Sequence, residues 1–531
     1  MFLFFAPFSA NENNSWGYET TPQTYALWDF PGNMAPLTQG KVMGGTSSLN
    51  SMNYVRGSKH DFNKWETEYK ANGWNYDEVL EYFKEIENFG VTDVPPQEVE
   101  KYHGKKGETP VNYPGYYTPL SSYFLESCSQ SGYTKVDYNG EKHSGYSRVQ
   151  CNTAGGIRMG ASTCFLNPEF TKLFPLLHIS TMSTATKINF DSDKKATGVT
   201  FVKNGEEKTV SVRREVIVCA GAVGSPKLLM LSGIGPGQHL KSLGIDVVAD
   251  LPVGQGLQDH VVFIGLVVTT NDDLIGLKHM KESYAQYMFN KTGLLTLPGA
   301  FEVVVFTDSG VEKPLDDYPD VEAELAAVFP NEDIARSPFV TPEIYEKYYA
   351  PMLGKNGFMV AVAMVRPESR GAVYLRSKNP DEKPTIDPQM LSGKTKDLFR
   401  IVNGTLKVIE LFNTKAMKDI GAELWSLKYP HCSQFDVWTE PYVTCFVQHT
   451  AFPGQHLCCT CAMGEHERAV VDSKLKVKGG VKNVRVADSS TMPAITAGNT
   501  NAPVMMIAAK GAAMILEDAK GEDAKTQRVK N

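Results

Sequence analysis

The sequence predicts a protein of mixed α/β (α+β) class. An apolar run at residues 215–219 meets a glycine turn, which is typical of a buried strand. A capped helical pattern covers about residues 76–88. The chain has 531 residues, of which 42% are hydrophobic, so it can bury more than one core.

The predicted buried strand is the run Glu215-Val-Ile-Val-Cys219, and the Thr-Val-Ser-Val run after Lys208 predicts a second, alternating strand. Gly221 and Gly224 form the turn that follows. Ser225-Pro226 predicts a helix start there, and Ser232-Gly233 predicts its end.

The predicted helix near residue 80 begins at a capping-box pattern, Asn75-Tyr-Asp-Glu78. Val79, Leu80, Phe83 and Ile86 follow at helical spacing. We expect this helix to be part of the scaffold.

Residues 266–365 differ in composition, with scattered acids and prolines and no glycine-rich turns, which predicts a separate lobe. Regular structure resumes at residues 366–376, where Ala-Val-Tyr-Leu-Arg is strand-like. The polar tail 519–531 is predicted to be disordered.

Charge and hydropathy exclude some function classes. The net charge of -7 and the lack of a basic patch argue against nucleic acid as a partner. The apolar opening, residues 1–10, has no basic flank and is too short to span a bilayer, and no transmembrane helix is predicted.

Nine cysteines, an odd number, do not indicate a disulfide scaffold. Cys445 and Cys461 flank the segment around His456 and could form a disulfide. Cys458 and Cys461 form a Cys-x-x-Cys pair that could bind zinc or act as a redox dithiol, although no second such pair exists.

Residues 40–57 are the first segment that could take part in binding or catalysis. Their sequence is Gly-Lys-Val-Met-Gly-Gly-Thr-Ser-Ser-Leu-Asn-Ser-Met-Asn-Tyr-Val-Arg-Gly. Paired glycines followed by hydroxyl residues let backbone amides approach a phosphate or a planar ring closely. An isolated double glycine is more often an ordinary turn. Other motifs in the chain are therefore needed to distinguish such a turn from a ligand-binding loop.

Near the carboxyl end, His456 and Asn499 are candidates for handling a proton and a developing negative charge together. A neutral histidine can accept the hydroxyl proton of an alcohol. An asparagine amide can donate to the resulting oxyanion. Asn499 can also serve as a helix cap.

Segments 40–57 and 219–236 together resemble the two signature motifs of the glucose-methanol-choline (GMC) family of flavin oxidoreductases. Residues 254–260 are similar to the family's Gly-x-Asn-Leu-Gln-Asp-His segment, and residues 366–376 to the entry of its substrate-binding sheet. Within the family, the animal FAD-dependent, quinone-linked glucose dehydrogenases look most similar.

The resemblance implies a Rossmann-like FAD/NAD(P)-binding domain, N-terminally incomplete, and an antiparallel-sheet substrate-binding domain. We expect residues 1–265 and 441–518 to form the FAD-binding and catalytic parts, residues 266–440 the substrate-binding domain, and residues 519–531 the disordered tail.

The resemblance also implies the site. His456 is the expected base, Asn499 the expected oxyanion donor, and no metal is expected. The implied FAD-binding residues are Gly44, Gly45, Thr46, Asn50, Ser51, Met52, Asn53, Ala185, Gly221, Asp488 and Thr500. Leu49 stands where some members attach flavin to a histidine, so FAD is expected to bind noncovalently.

The implied activity is FAD-dependent oxidation of a primary or sugar alcohol, with a quinone or similar electron acceptor. The helix after Pro503 is expected to direct its positive end at the reduced flavin. His260, His431 and His449 are interpreted as structural residues. The sequence does not establish localisation, and secretion stays open.

Some features depart from the family pattern. No Gly-x-Gly-x-x-Gly turn for a pyrophosphate occurs in the sequence. Leu457, Cys458 and Cys459 replace the family's Pro-x-Gly after the histidine, and Gly256 replaces an asparagine. If the replaced glycine has a positive φ, Cys459 must adopt a strained conformation. A flavin-free relative that only binds ligands is therefore an alternative.

Overall fold

The computed structural model describes residues 10–276, 280–312, 315–331 and 340–530. Residues 1–9, which make up most of the apolar opening, lie outside the described ranges. The fold is mixed α/β, as predicted.

A seven-stranded antiparallel sheet, here called the central sheet, confirms the expected antiparallel part of the fold. Its strands in order are Glu423–Leu424, Val261–Thr269, Gly357–Met364, Val321–Ala326, Phe301–Thr307 and Gly145–Arg148, with Phe452–Pro453 also paired to Val261–Thr269. The strand Gly357–Met364 has the sequence Gly-Phe-Met-Val-Ala-Val-Ala-Met. It is almost continuously apolar because it lies in the sheet interior and is covered on both faces.

The predicted strand at residues 215–219 is confirmed as Val216–Val218, which pairs in parallel with Val484–Val486. The strand predicted after Lys208 is Glu206–Ser211, the edge of a three-stranded antiparallel sheet with Ala196–Lys203 and Ser183–Phe190.

The predicted helix start at Ser225-Pro226 is wrong, because the helix spans Gly221–Leu231 and Pro226 lies inside it. Proline cannot donate the hydrogen bond that the carbonyl of Ala222 would otherwise accept. The Thr460 hydroxyl donates to that carbonyl instead, at 2.7 Å. The helix ends at Leu231, as predicted.

The predicted capped helix is confirmed as Tyr76–Ile86. The Asn75 side chain accepts a hydrogen bond from the backbone N–H of Glu78 at 3.2 Å. Val79, Phe83 and Ile86 are buried.

The remaining elements are mostly short. Helices span Lys59–Thr67, Pro96–Tyr102, Pro119–Gln130, Ala161–Phe165, Pro168–Thr171, Gly237–Ser242, Met280–Asn290, Pro342–Ile344, Asp397–Ile409, Lys415–Asp419, Glu440–Thr450 and Asn501–Lys530. Smaller sheets pair Tyr18–Glu19 with Pro36–Leu37, Glu87–Phe89 with Thr109–Val111, Thr153–Ala154 with Ile157–Arg158, and Ile234–Gly235 with Ala249–Asp250. Gly371–Tyr374 confirms the strand-like stretch within residues 366–376, and it pairs with Gln255–Leu257 and Thr385–Asp387 in a sheet separate from the central sheet.

Two large hydrophobic cores form the interior. One lies on the central sheet and the helices Asp397–Ile409 and Glu440–Thr450. The other surrounds the parallel strand pair and includes Trp65, Trp74 and Phe83. The central sheet takes strands from before and after residues 266–440, and the predicted domain boundaries stay predictions.

The C-terminal helix Asn501–Lys530 corrects one expectation, because the tail predicted to be disordered continues this helix up to Lys530. Alanine, lysine and glutamate favour helix intrinsically, so a composition too polar to form a core can still be helical. Among the described residues, no helix has the length and apolar character that crossing a membrane requires.

The Cys445–Cys461 disulfide, which the sequence left possible, does not form. Cys445 pairs with Cys432, whose Cα lies 5.8 Å away, whereas Cys461 is a buried free thiol. The short 3-10 helix Pro430–Cys432 brings Cys432 against the helix Glu440–Thr450, which sequence spacing could not indicate.

We predict that peptide mapping of the oxidised protein recovers Cys432 linked to Cys445, with Cys461 alkylatable after unfolding. The Cys445→Ser variant should expose one further alkylatable thiol, at Cys432, in addition to the seven that are free in the wild type. It should also lose about 3 kcal/mol of unfolding free energy, the value expected for so short a closed loop. A Cys445–Cys461 peptide would contradict this pairing.

Candidate active site

A cavity of about 2080 Å³ lies between the glycine-rich loop, the start of the C-terminal helix and one face of the central sheet. All thirteen residues predicted for the site line it: His456, Asn499, Gly44, Gly45, Thr46, Asn50, Ser51, Met52, Asn53, Ala185, Gly221, Asp488 and Thr500. Residues from distant parts of the sequence therefore meet at one place.

The glycine-rich loop turns tightly at Gly44 and Gly45, which have φ of 85° and 56°. A β-carbon at Gly44 would lie 2.7 Å from the Ser48 hydroxyl oxygen, so this position requires glycine. At Gly45 a β-carbon would meet nothing within 4 Å, which leaves the backbone open to a ligand.

Arg158 supports this loop, and the sequence analysis missed it. Its guanidinium donates to Asn50 Oδ1 at 2.8 Å and to the carbonyl of Ser47 at 3.0 Å. Arg158 lies in a two-residue strand without a recognisable motif, so no sequence signal pointed to it.

Asp488 joins the parallel strand pair to the helix that begins at Gly221. Its Oδ2 accepts from the Gly221 N–H at 2.9 Å and from the Ser225 hydroxyl at 2.5 Å. Its Oδ1 accepts from the Ser490 N–H at 2.9 Å. The carboxylate thus orders the cavity wall at the start of the helix.

His456 lies between three partners. Its Nε2 is 3.3 Å from Asn499 Nδ2, its Nδ1 is 2.9 Å from His260 Nδ1, and its backbone N–H donates to Asp259 Oδ1 at 2.7 Å. Burial lowers the pKa of His456 to about 4, so the imidazole is neutral at physiological pH.

These contacts assign the tautomer of His456. The Asn499 amide N–H can only donate, so Nε2 is the accepting nitrogen and Nδ1 carries the proton. Nδ1–H then donates to His260 Nδ1. The lone pair on Nε2 is the one that a general base requires.

His260 and Asp259 are site residues whose roles the sequence analysis missed, although it singled out the segment that contains them. His260, interpreted as structural, contacts His456 directly, and burial lowers its pKa well below the usual value. Asp259 accepts the backbone N–H groups of both Gln455 and His456. Burial raises the pKa of Asp259 to about 7.

Asn499 follows Gly498, whose φ is 130°. A β-carbon at Gly498 would approach Val55 Cγ1 to 2.5 Å, so glycine lets the turn pack closely. The Asn499 Oδ1 atom is buried without a hydrogen-bond partner in the described part of the chain. Such an atom marks a place where a ligand or water is expected.

The C-terminal helix begins at Asn501, two residues before Pro503, and Thr500, Asn501 and Val504 line the cavity. Its first N–H groups lie at the cavity wall. A helix amino terminus of this kind stabilises negative charge.

A second cluster lies at the sheet side of the cavity. The Asp29 carboxylate accepts from the Tyr429 hydroxyl and from the Nδ1 atoms of His431 and His449 at 2.5, 2.7 and 2.8 Å. Burial opposes ionisation of Asp29, but hydrogen bonds from His449 and Tyr429 outweigh it and lower the pKa.

The alternative of a zinc site at Cys458 and Cys461 gains no support. In the described ranges, groups close enough to hold an ion contain Asp29, His431, His449, Cys432 and Cys445, but neither Cys458 nor Cys461. Burial raises the pKa of both thiols, which disfavours the thiolate that binds metals.

Cys459 has a φ of 76° and therefore adopts the left-handed conformation. This conformation is the one expected if the glycine that Cys459 replaces has a positive φ. Its side chain is buried, and its thiol donates to Gln258 Oε1 at 3.6 Å. The loop after His456 therefore keeps a glycine-like backbone around a larger side chain.

We predict that Cys459→Gly is more stable than Cys459→Ala by about 1 kcal/mol, because a β-carbon is disfavoured in this conformation. Urea unfolding of both variants measures the difference. As the matched control, Ala462→Gly, at a position without positive φ, should lower stability. A Cys459→Ala variant as stable as Cys459→Gly would show that the backbone is unstrained.

The chain is similar along most of its length to known oxidoreductases. The chain is 32% identical over 506 residues to a glucose dehydrogenase [FAD, quinone] of Drosophila pseudoobscura pseudoobscura, covering 94% of this chain and 77% of the relative. It is 34% identical over 524 residues to an oxygen-dependent choline dehydrogenase of Brucella anthropi, covering 95% and 86%.

Among solved structures, an Aspergillus oryzae formate oxidase superimposes with a TM-score of 0.84 at 26% identity, covering 98% of this chain and 91% of that one. GMC oxidoreductase family models for the N-terminal and C-terminal regions match residues 22–262 and 367–508. The chain therefore belongs to the GMC oxidoreductase family.

Proposed function

We propose that this protein oxidises a primary or sugar alcohol to a carbonyl compound with noncovalently bound FAD, and passes the electrons to a quinone-like acceptor. The observation that supports this best is the neutral His456, whose accepting Nε2 faces Asn499 inside the cavity.

The cavity residues fit FAD. The left-handed Gly44–Gly45 turn leaves an open approach for a planar ring or phosphate, and the buried Asn53 Oδ1 and Asn499 Oδ1 have no partners in the described structure. The Gly44–Asn53 loop, Ala185, Gly221, Asp488 and Thr500 would hold the cofactor. Bound FAD would supply the hydride acceptor.

Leu49 supports noncovalent binding. Its side chain lines the cavity, and an alkyl group offers no atom that could bond to a flavin. The glucose dehydrogenase [FAD, quinone] of Drosophila supports the choice of a quinone-like acceptor, by analogy with that relative.

Side chains of this protein remove the substrate's hydroxyl proton and stabilise the negative charge that develops on its oxygen. The substrate hydroxyl donates to His456 Nε2, which takes the proton as the carbon loses its hydride. The Nδ1–H bond to His260 holds the imidazole ring in the required orientation. The Asn499 amide donates to the developing alkoxide, and the amino terminus of the C-terminal helix stabilises nearby negative charge.

We predict that His456→Ala lowers kcat by about 10²- to 10⁴-fold, the range for loss of a general base, while FAD stays bound. The assay is alcohol-dependent reduction of a soluble quinone by the FAD-loaded protein, with flavin absorbance as the measure of cofactor content. His178→Ala, at an exposed position, is the control and should retain full turnover. Full turnover of His456→Ala with bound flavin would rule out this base.

The pH dependence follows from the lowered pKa of His456. The neutral imidazole is the active form, so kcat/KM should fall as pH decreases through about 4 and stay level above it. Burial raises the pKa of Asp259 to about 7, so a limb in that range that disappears in Asp259→Asn belongs to Asp259 and not to His456. A limb near pH 6.5 that persists in Asp259→Asn would contradict a buried His456 base.

A further inference from the structure

Asp29, His431 and His449, here called the Asp–His cluster, bring three metal-ligating side chains together beside the cavity wall. One ligand atom from each residue lies within 4.8 Å of the other two. Oδ1 of Asp29 is 2.7 Å from His431 Nδ1 and 2.8 Å from His449 Nδ1. Asp29 lines the cavity and the two histidines do not, so the cluster is distinct from the pair His456 and Asn499.

The fold brings the two histidines together without an ion. His431 directly precedes Cys432, and His449 lies one helical turn after Cys445. The disulfide between the two cysteines therefore holds the imidazoles side by side, with ring centroids 5.0 Å apart. The backbone N–H of Asp29 donates to the carbonyl of His449 at 3.2 Å, which fixes the third residue. Preorganisation of this kind lowers the entropic cost of binding a ligand.

Tyr429 orients the carboxylate of the cluster. Its hydroxyl donates to Asp29 Oδ2 at 2.5 Å, which leaves Oδ1 directed at the two imidazoles. Outer partners that hold a ligand in place are a regular part of metal sites. Within the described ranges, no lysine or arginine lies within 4.0 Å of Asp29, so the cluster keeps a negative charge that attracts a cation.

The imidazole nitrogens can be freed for an ion. Both Nδ1 atoms donate to Asp29, whereas neither Nε2 atom forms a hydrogen bond with a residue that the structure describes. Each ring can therefore carry its proton on Nε2 and offer the lone pair of Nδ1. Zinc holds its ligand atoms about 3.3 Å apart, so the histidines need to move by only about half an ångström. The His431 side chain is 41% exposed, which gives an ion access from solvent.

The donor atoms select the class of metal. Two imidazole nitrogens and one carboxylate oxygen suit zinc and similar transition-metal ions. Calcium and magnesium prefer oxygen ligands throughout. Three protein ligands leave the fourth position of a tetrahedral zinc site to water.

We propose that the Asp–His cluster binds one zinc ion, or another divalent transition-metal ion, through Asp29, His431 and His449. The ion joins the segment before the glycine-rich loop to the helix Glu440–Thr450. Asp29 and Tyr429 line the cavity at this junction, so the ion fixes that part of the wall. The site does not depend on the proposed alcohol oxidation.

Isothermal titration calorimetry with zinc chloride tests the proposal on the FAD-loaded, disulfide-bonded protein, without a polyhistidine tag and after treatment with a chelator. We expect one ion to bind per chain and the melting temperature to rise with zinc concentration. His431→Ala and Asp29→Asn should each weaken binding by about 10- to 100-fold or more, because even the loss of an outer partner of a metal site has an effect of that size.

His178→Ala is the matched control, since it removes an exposed histidine outside the cluster and should bind zinc as the wild type does. Tyr429→Phe removes only the hydroxyl that orients the carboxylate, so it should weaken binding less than His431→Ala. If Asp29→Asn fails to fold, the exposed position of His431 still allows the comparison.

Three outcomes would overturn the proposal. The first is a wild type without saturable zinc binding, and the second is binding that His431→Ala and Asp29→Asn leave unchanged. The third is binding that appears only after reduction. Reduction frees Cys432 and Cys445, which with His449 form another group close enough to hold an ion. Such binding would assign the ion to the thiols.

Discussion

The geometry of the site depends on the Asp259 carboxylate, which accepts the backbone N–H groups of Gln455 and His456. One buried acid thereby fixes the turn that presents the imidazole. The next residue, His260, holds Nδ1 of the same imidazole. These two consecutive residues fix the position of His456, and the Asn499 amide, which can only donate, makes Nε2 the nitrogen that accepts a proton. The strand Val261–Thr269 continues from them into the central sheet, so the proposed base is anchored to the largest sheet of the protein.

The same constraint explains why the altered loop after His456 is tolerated. Cys459 keeps the left-handed backbone, and its neighbour Cys458 exchanges backbone hydrogen bonds with Gln258, directly before Asp259. The loop is therefore fixed from both sides by residues 258–260. A cysteine at this left-handed position costs backbone energy that a glycine would not.

Much of the site was predictable because it lies in contiguous motifs. The Gly44–Asn53 loop, Gly221, Asp488 and Asn499 were found from local patterns and their resemblance to one family, and they line one cavity. Features set by distant contacts were missed. The helix start at Gly221 depends on Thr460 replacing a bond lost at Pro226, and the partner of Cys445 depends on the packing of a neighbouring helix. His431 and His449 were interpreted as structural, because nothing in the sequence shows that a disulfide and Asp29 bring them into one cluster.

In the proposed reaction, the alcohol carbon loses a hydride while His456 removes the hydroxyl proton. The most direct test is anaerobic mixing of the FAD-loaded protein with an alcohol, unlabelled or deuterated at the reacting carbon, while the flavin absorbance is followed. We expect the alcohol to bleach the oxidised flavin and deuteration to slow the bleaching. A bound flavin that no primary or sugar alcohol bleaches would contradict the proposed reaction.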